Sequence, residues 1–351
     1  MKLFKEKKYR KYFLVPLIFL GIIAVTGAVN CGGGGGDGGG TTPGVPTGKL
    51  YVSGCGNASI PSYDNADSVS GVVLPNRTIS GGLTTLNLPA GISVDTTNDR
   101  LYEANLNANS ILVFNNASTA SGEIVPNRTI SGVLTTLNAP SGIFVDTANN
   151  RLYVANYTGN SILLFSNASA ADGEIVPNRR ISGALTTLNN PSGIFVDTAN
   201  NRLYVANRTA NSILVFNNAS TADGNIVWSR RISGGFTSLD APSGIFVDTA
   251  NNRLYVANYT GNSIFVFDNA STANGDIPPN RTITGGLTTL NGPLGIFVDT
   301  TNNRLYVANY TGNSILVFNN ASTASGEIAP SRTVNLPAGT GPGDVFVDIT
   351  R

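Results

Sequence analysis

The stretch PSGIFVDTANNRLYVANYTGNSILL, residues 140–164, decides the fold, because the chain repeats it with small changes on both sides. Its opening proline recurs at Pro89, Pro140, Pro191, Pro242 and Pro293, each 51 residues after the last. A fixed period of this length marks a repeat architecture, in which one unit cannot hide its apolar surface alone and must stack on its neighbours.

Four strand-like runs stand out within one unit: GIFVD at 142–146, RLYVAN at 151–156, SILLF at 161–165 and RRIS at 179–182. The first three are rich in β-branched and aromatic residues, and Asn, Gly, Pro and Ser bound the runs. Thr147-Ala148-Asn149-Asn150 predicts a hairpin turn, since Asn tolerates left-handed backbone, and Tyr157-Thr158-Gly159-Asn160 predicts the next. The first three runs are almost continuously apolar, the pattern of strands whose sheet is covered on both faces. The fourth is more polar and reads as an outer edge. Four antiparallel strands with both faces covered describe a propeller blade.

The first-strand motif occurs six times, at Ile92, Ile143, Ile194, Ile245, Ile296 and finally Val345-Phe346-Val347-Asp348. The second also occurs six times, at Leu50, Leu101, Leu152, Leu203, Leu254 and Leu305. The repeats nevertheless begin at a second strand, Lys49-Leu50-Tyr51-Val52, and end on a first strand. Five blades are therefore contiguous, and the sixth is assembled from both ends, with residues 344–350 beside 50–52. The expected fold is an all-β, six-bladed β-propeller over residues 49–351. Repeats begin near 89, 140, 191, 242 and 293, and residues 49–88 plus 342–351 form the closing blade.

The string P-x-G-I-F-V-D-x-x-x-N-R-L-Y-V-A-N-x-x-x-N-S-I-x-V-F resembles the NHL repeat and is close to the related YVTN repeat of bacterial surface propellers. The resemblance covers about residues 48–351 and implies six blades of four antiparallel strands. It implies no single activity, because such propellers include protein-interaction scaffolds, sugar-lactone hydrolases of related fold and a zinc lyase.

Residues 1–11 hold six Lys or Arg and one Glu, and a nearly unbroken apolar run follows over 13–29. A basic segment ahead of an apolar one is the export pattern. The run contains Pro16 and barely reaches the ~20 apolar residues that a membrane helix needs. Cys31 and the tract GGGGGDGGG come next. Together they resemble a bacterial lipoprotein processing site, which implies that Cys31 becomes the lipidated first residue. Ala28-Val29-Asn30 departs from the usual residues before that cysteine, so cleavage after Ala28 and an uncleaved anchor stay open. All three readings put the body outside the cytoplasmic membrane. The lipoprotein reading places it at the outer membrane or cell surface, ahead of a free periplasmic or secreted protein. Residues 1–31 read as the signal segment and 32–48 as a flexible spacer. Cys55 is a lone thiol if Cys31 is lipidated, and otherwise a potential disulfide partner in an oxidising compartment.

The formal net charge is +1, and the leader carries five positive charges in excess, which leaves −4 for the body. A weakly acidic body without a basic stripe argues against nucleic acid. With no His in the chain, a Ser-His-Asp triad and the usual His-containing zinc site are excluded. Oxygen chemistry remains: carboxylates, amides and carbonyls around a hard cation such as Ca²⁺.

Asp95, Asp146, Asp197, Asp248, Asp299 and Asp348 recur at the ends of first strands and read as turn formers bonding nearby amides. Asn87, Asn138, Asn189, Asp240, Asn291 and Thr340 precede each first strand. They are expected to surround one channel mouth, with Asp240 and Asn189 the choice if Ca²⁺ is bound. Glu103 replaces the Val of LYVAN in a single blade and reads as a residue near the rim that reaches water. Tyr157, Arg208, Tyr259 and Tyr310 occupy matching turns and form a candidate contact surface. No catalytic residue and no resident cofactor is assigned, with Ca²⁺ the one candidate. The leading expectation is a monomeric, non-enzymatic binding scaffold for a protein or polysaccharide, held to the membrane by its N-terminal lipid or anchor. The alternative is a Ca²⁺-dependent lactonase-like hydrolase at the channel mouth, using Asp240, Asn189 and Glu103.

Overall fold

The computed structural model describes residues 48–351. The export-like segment, Cys31 and nearly all of the spacer lie outside the described residues. From Gly48 onward the chain forms six sheets of antiparallel strands arranged in a ring, with only single 3-10 turns between them.

Blade 3 serves as the type. Its strands are Pro140–Asp146, Arg151–Asn156, Ser161–Ser166 and Arg179–Ser182, in that order from the channel outward. The predicted turns form where Asn takes the left-handed conformation, at Asn150 (φ 53°) and Asn160 (φ 45°). Blades 2, 4, 5 and 6 repeat the pattern from Pro89, Pro191, Pro242 and Pro293. Blade 1 joins the two ends. Pro342–Asp348 lies antiparallel to Lys49–Gly54, with Leu50 opposite Val347 and Val52 opposite Val345. Ile60–Asp64 and Arg77–Ile79 complete that sheet.

The core lies between blades. Tyr204 and Val215 of blade 4, for example, pack with Leu254 and Phe267 of blade 5. The buried second-strand tyrosines also reach across, the Tyr102, Tyr204, Tyr255 and Tyr306 hydroxyls each donating to a carbonyl of the following blade. Each such ring contributes apolar burial worth about 1.5–3 kcal/mol, and its polar tip is satisfied inside the same contact.

The outer edge is less open than its polar sequence suggests. In blade 1 the Ser80 amide donates to Gly122 O at 3.1 Å, and the Gly122 amide donates to Thr78 O at 2.7 Å. Gly173, Gly224, Gly275 and Gly326 make the matching parallel bridge for blades 2 to 5. Gly71–Val72 does so as a fifth strand on blade 6. Every blade's exposed ladder is thus partly capped by a loop of the next, which hides edge groups that would otherwise template aggregation.

Candidate functional site

The channel is built in layers, each taking one residue from each blade. At the mouth stand the residues that follow the second strands: Cys55, Leu106, Tyr157, Arg208, Tyr259 and Tyr310. One step inward come Ala90, Ser141, Ser192, Ser243, Leu294 and Gly343. Together they wall a cavity of ≈330 Å³. Below lies a waist of Gly91, Gly142, Gly193, Gly244 and Gly295, with Asp344 at the sixth place. Glycine is required there because adjacent blades meet backbone to backbone; a Cβ on Gly193 would lie 2.3 Å from the Ser243 carbonyl oxygen.

Two charged groups break the symmetry of this wall. Arg208 lies with its guanidinium carbon 4.2 Å from the Tyr259 ring centroid, a cation–π contact, and its Nη1 is 3.4 Å from Ser243 Oγ. Among the described residues it forms no salt bridge. Asp344 belongs to blade 1 and Arg208 to blade 4, so the two stand on opposite sides of a six-membered ring. The Asp344 carboxylate accepts backbone amides from Ile92 at 3.2 Å and Val345 at 2.9 Å. Burial nevertheless pushes its pKa up to about 7, the amides only partly opposing it.

Behind Asp344 is a second acid. Glu103 is fully buried and accepts the Ser53 hydroxyl at 2.8 and 3.0 Å. Burial holds its pKa well above the usual carboxylate range; Ser53 opposes this, and Asp344 adds to it. Ser53 pairs with Asp344 across the closing ladder. In the other blades the places of Ser53, Glu103 and Asp344 are held by Ala, Val and Gly, as in Ala155, Val154 and Gly142. Three polar departures from the repeat therefore converge on the seam between blades 1 and 2. Cys55 sits there too, its thiol donating to Pro89 O at 2.8 Å. Burial, then Glu103 and Asp344, raise its pKa, so it is a poor nucleophile.

Several sequence expectations are corrected by this geometry. Glu103 does not reach water at the rim, because it lies in the middle of a second strand whose faces are both covered. Asn87, Asn138, Asn189, Asp240 and Asn291 are exposed at the blade crossings and do not wall the mouth cavity. Their amides are taken by the buried Asn side chains of the second strands, as with Asp240 N to Asn258 Oδ1 at 2.6 Å. The next residue then turns at positive φ, as at Ala139 (52°) and Ala241 (52°), so the wall begins only after the proline. Thr340 is buried. The recurrent aspartates cap their turns as read, Asp146 Oδ1 accepting the Asn149 amide at 3.1 Å. Tyr157, Arg208, Tyr259 and Tyr310 are brought together in the mouth wall.

A Ca²⁺ site needs about six to eight oxygen ligands. Asp240 and Glu103 fall on opposite sides of the ring, and no three metal-ligating acids, thiols or imidazoles converge among the described residues. Asp240 and Glu103, named together for Ca²⁺, therefore do not share a site. Asp344 escaped the sequence reading, although its place is four residues before Asp348, where Gly142 stands four before Asp146.

Comparison with known proteins bears on the class. The family model described as "Lactonase, 7-bladed beta-propeller" matches residues 170–280. A protein of Bacteroides uniformis provisionally named 6-phosphogluconolactonase superposes with TM-score 0.57 at 13% identity, over 87% of this chain and 100% of its own. A likewise named protein of Bacteroides fragilis gives 0.54 at 14%, over 89% and 100%. A structure of a nidogen/laminin complex gives 0.56 at 15%, over 86% and 98%. No curated protein matches the chain. At these identities the superpositions speak for the propeller fold. The match over 170–280, a segment that contains Arg208, Ser192 and Ser243, overturns the leading expectation of a non-enzymatic scaffold and favours the hydrolase alternative.

Proposed function

We propose that this propeller is a lactonase-like hydrolase whose substrate sits in the mouth cavity between Asp344 and Arg208. The opposition of these two residues carries the reading. A carboxyl with a pKa of about 7 is matched to general-base work near neutrality. A guanidinium that forms no salt bridge among the described residues, in a mainly apolar wall, is suited to a developing oxyanion. In the proposed reaction Asp344 takes a proton from water as the water oxygen bonds to the lactone carbonyl carbon. Arg208 stabilises the charge that builds on the carbonyl oxygen. The ring C–O bond then breaks, the leaving oxygen recovers the proton from Asp344, and a hydroxy acid is released. No metal enters these steps.

The test is a pH-stat assay of the purified full-length chain on a panel of γ- and δ-lactones, beside the D344N and R208Q variants. Turnover that falls at least 100-fold in D344N is expected. Absence of turnover on every lactone, or D344N as active as the parent, sinks the reading.

The proposal extends to location and repeat type. The leader and Cys31 support an exported protein tethered at the membrane through a lipidated Cys31, which the intact mass of the mature N-terminus checks. The recurring P-x-G-I-F-V-D and L-Y-V-A-N strings support placing the repeats in the NHL/YVTN group.

A further inference from the structure

Below the glycine waist the channel opens into a second chamber of ≈260 Å³, and its wall shares Gly142, Gly193, Gly244 and Asp344 with the mouth cavity. This chamber has a layer of its own. Phe144, Phe195, Phe246, Phe297 and Phe346 follow one another around the ring with centroids 5.4, 5.1, 5.4 and 5.2 Å apart, in tilted or edge-to-face pairs. Each is held in register by a second-strand tyrosine, Phe144 opposite Tyr153 and Phe246 opposite Tyr255. The sixth place, opposite Tyr102, is Ser93. Its hydroxyl is already engaged by the Val145 amide at 3.3 Å.

A regular hexagon has a radius equal to its side, so the axis of this layer runs about 5 Å from each ring centroid. A carbon on the axis then meets the nearer ring atoms at about the 3.5–4.0 Å optimal for carbon–carbon contact. Between the five rings the bore is thus about one methylene wide, a width that an unbranched chain fills best. An apolar cavity of about 150 Å³ lined by such side chains stays dry and takes up apolar guests. The glycines place no side chain in the waist, and the one side chain there is Asp344.

We infer that the phenylalanine chamber binds an unbranched alkyl chain, so that the substrate is a lactone bearing a linear aliphatic tail. The tail passes the waist while the ring stays in the mouth. The tail assignment rests on the lactonase reading; the chamber's affinity for alkyl chains does not, and the experiment separates the two.

The probe is a series of straight-chain primary alcohols, butanol to decanol, titrated into the full-length protein by calorimetry. The dissociation constant is expected to fall about three- to fourfold per added methylene. The S93W variant, whose indole extends beyond the phenylalanine radius onto the axis, is expected to weaken decanol at least tenfold. S93A is the control for folding and is expected to stay within about twofold of the parent. Affinity independent of chain length overturns the inference, and so does S93W binding decanol as the parent does. Chain-length-dependent binding in a protein that opens no lactone would keep the chamber and remove the reaction assigned above.

Discussion

The Ser53 hydroxyl of blade 1 donates to both oxygens of Glu103 in blade 2, at 2.8 and 3.0 Å, with neither side chain exposed. It is a bond between two residues that each depart from the repeat, and it ties the blade assembled from both ends of the repeats to its neighbour.

That bond sets a first prediction. S53A removes the side-chain donor of a buried carboxyl, leaving it the Ala90 backbone amide, and is expected to cost about 1–3 kcal/mol in denaturant unfolding. The double variant S53A/E103V, which restores the Ala and Val of the other blades, is expected to be neutral or stabilising. A double variant weaker than S53A alone would contradict this account of the seam.

Stability should depend on pH in an unusual direction. Glu103 and Asp344 have folded pKa values above their unfolded ones, so the folded state holds more protons and loses stability as pH rises. For Asp344 the window runs from about 3.8 to about 7. At the acid end, Asp64 is held low, first by its Arg77 hydrogen bond. In Asp99, burial is outweighed by bonds from Ser118 and Arg351. Both lose their contribution as pH falls through those lowered values. The melting temperature is therefore expected to peak on the acid side of neutrality and to decline toward pH 8, and D344N should flatten the decline. Scanning fluorimetry across pH 3–9 measures it.

Activity should follow the opposite limb. A general base must be deprotonated, so kcat/KM is expected to rise with pH through about 7 and then level off. A profile flat from pH 5 to 9 would remove Asp344 from the role.

The waist is expected to be intolerant. G193A sets a Cβ against the Ser243 carbonyl and should cost about 1–3 kcal/mol or more, read from its urea midpoint. G235A, at an exposed crossing where a Cβ meets nothing, is the comparison and should change stability little.

Closure can be tested directly. Deleting residues 342–351 strips the inner strand from Lys49–Gly54 and opens Leu50 and Val52, both fully buried, to solvent. The truncated chain is expected to lose cooperative unfolding and to aggregate, which light scattering during thermal unfolding reports.

The architecture was legible because each blade states the same pattern, and a mismatch of one strand at either end of the repeats can be resolved only by a shared blade. The site was legible in part. Tyr157, Arg208, Tyr259 and Tyr310 occupy one place in the period, and the structure gathers them in one wall. Asp344 stayed hidden because Pro342-Gly343-Asp344 keeps a glycine beside its proline, whereas counting back from Asp348 puts the aspartate, not Gly343, at the waist. The amide ring failed for a local reason. A single left-handed residue after Asn138 or Asp240 reverses the chain, so neighbours in sequence end on different surfaces. Glu103 was misplaced because the cost of burying a carboxylate favours the rim only if the group stays charged, and its partner Ser53 lies 50 residues away.

The blade count is even, and that parity has its own consequence. In a circle of six every unit has an antipode, and the carboxyl of the first faces the guanidinium-bearing turn of the fourth. Losing or gaining one 51-residue module would leave the hydrophobic seams chemically compatible, yet an odd circle has no antipodes, so such a descendant would fold without a carboxyl set opposite the guanidinium.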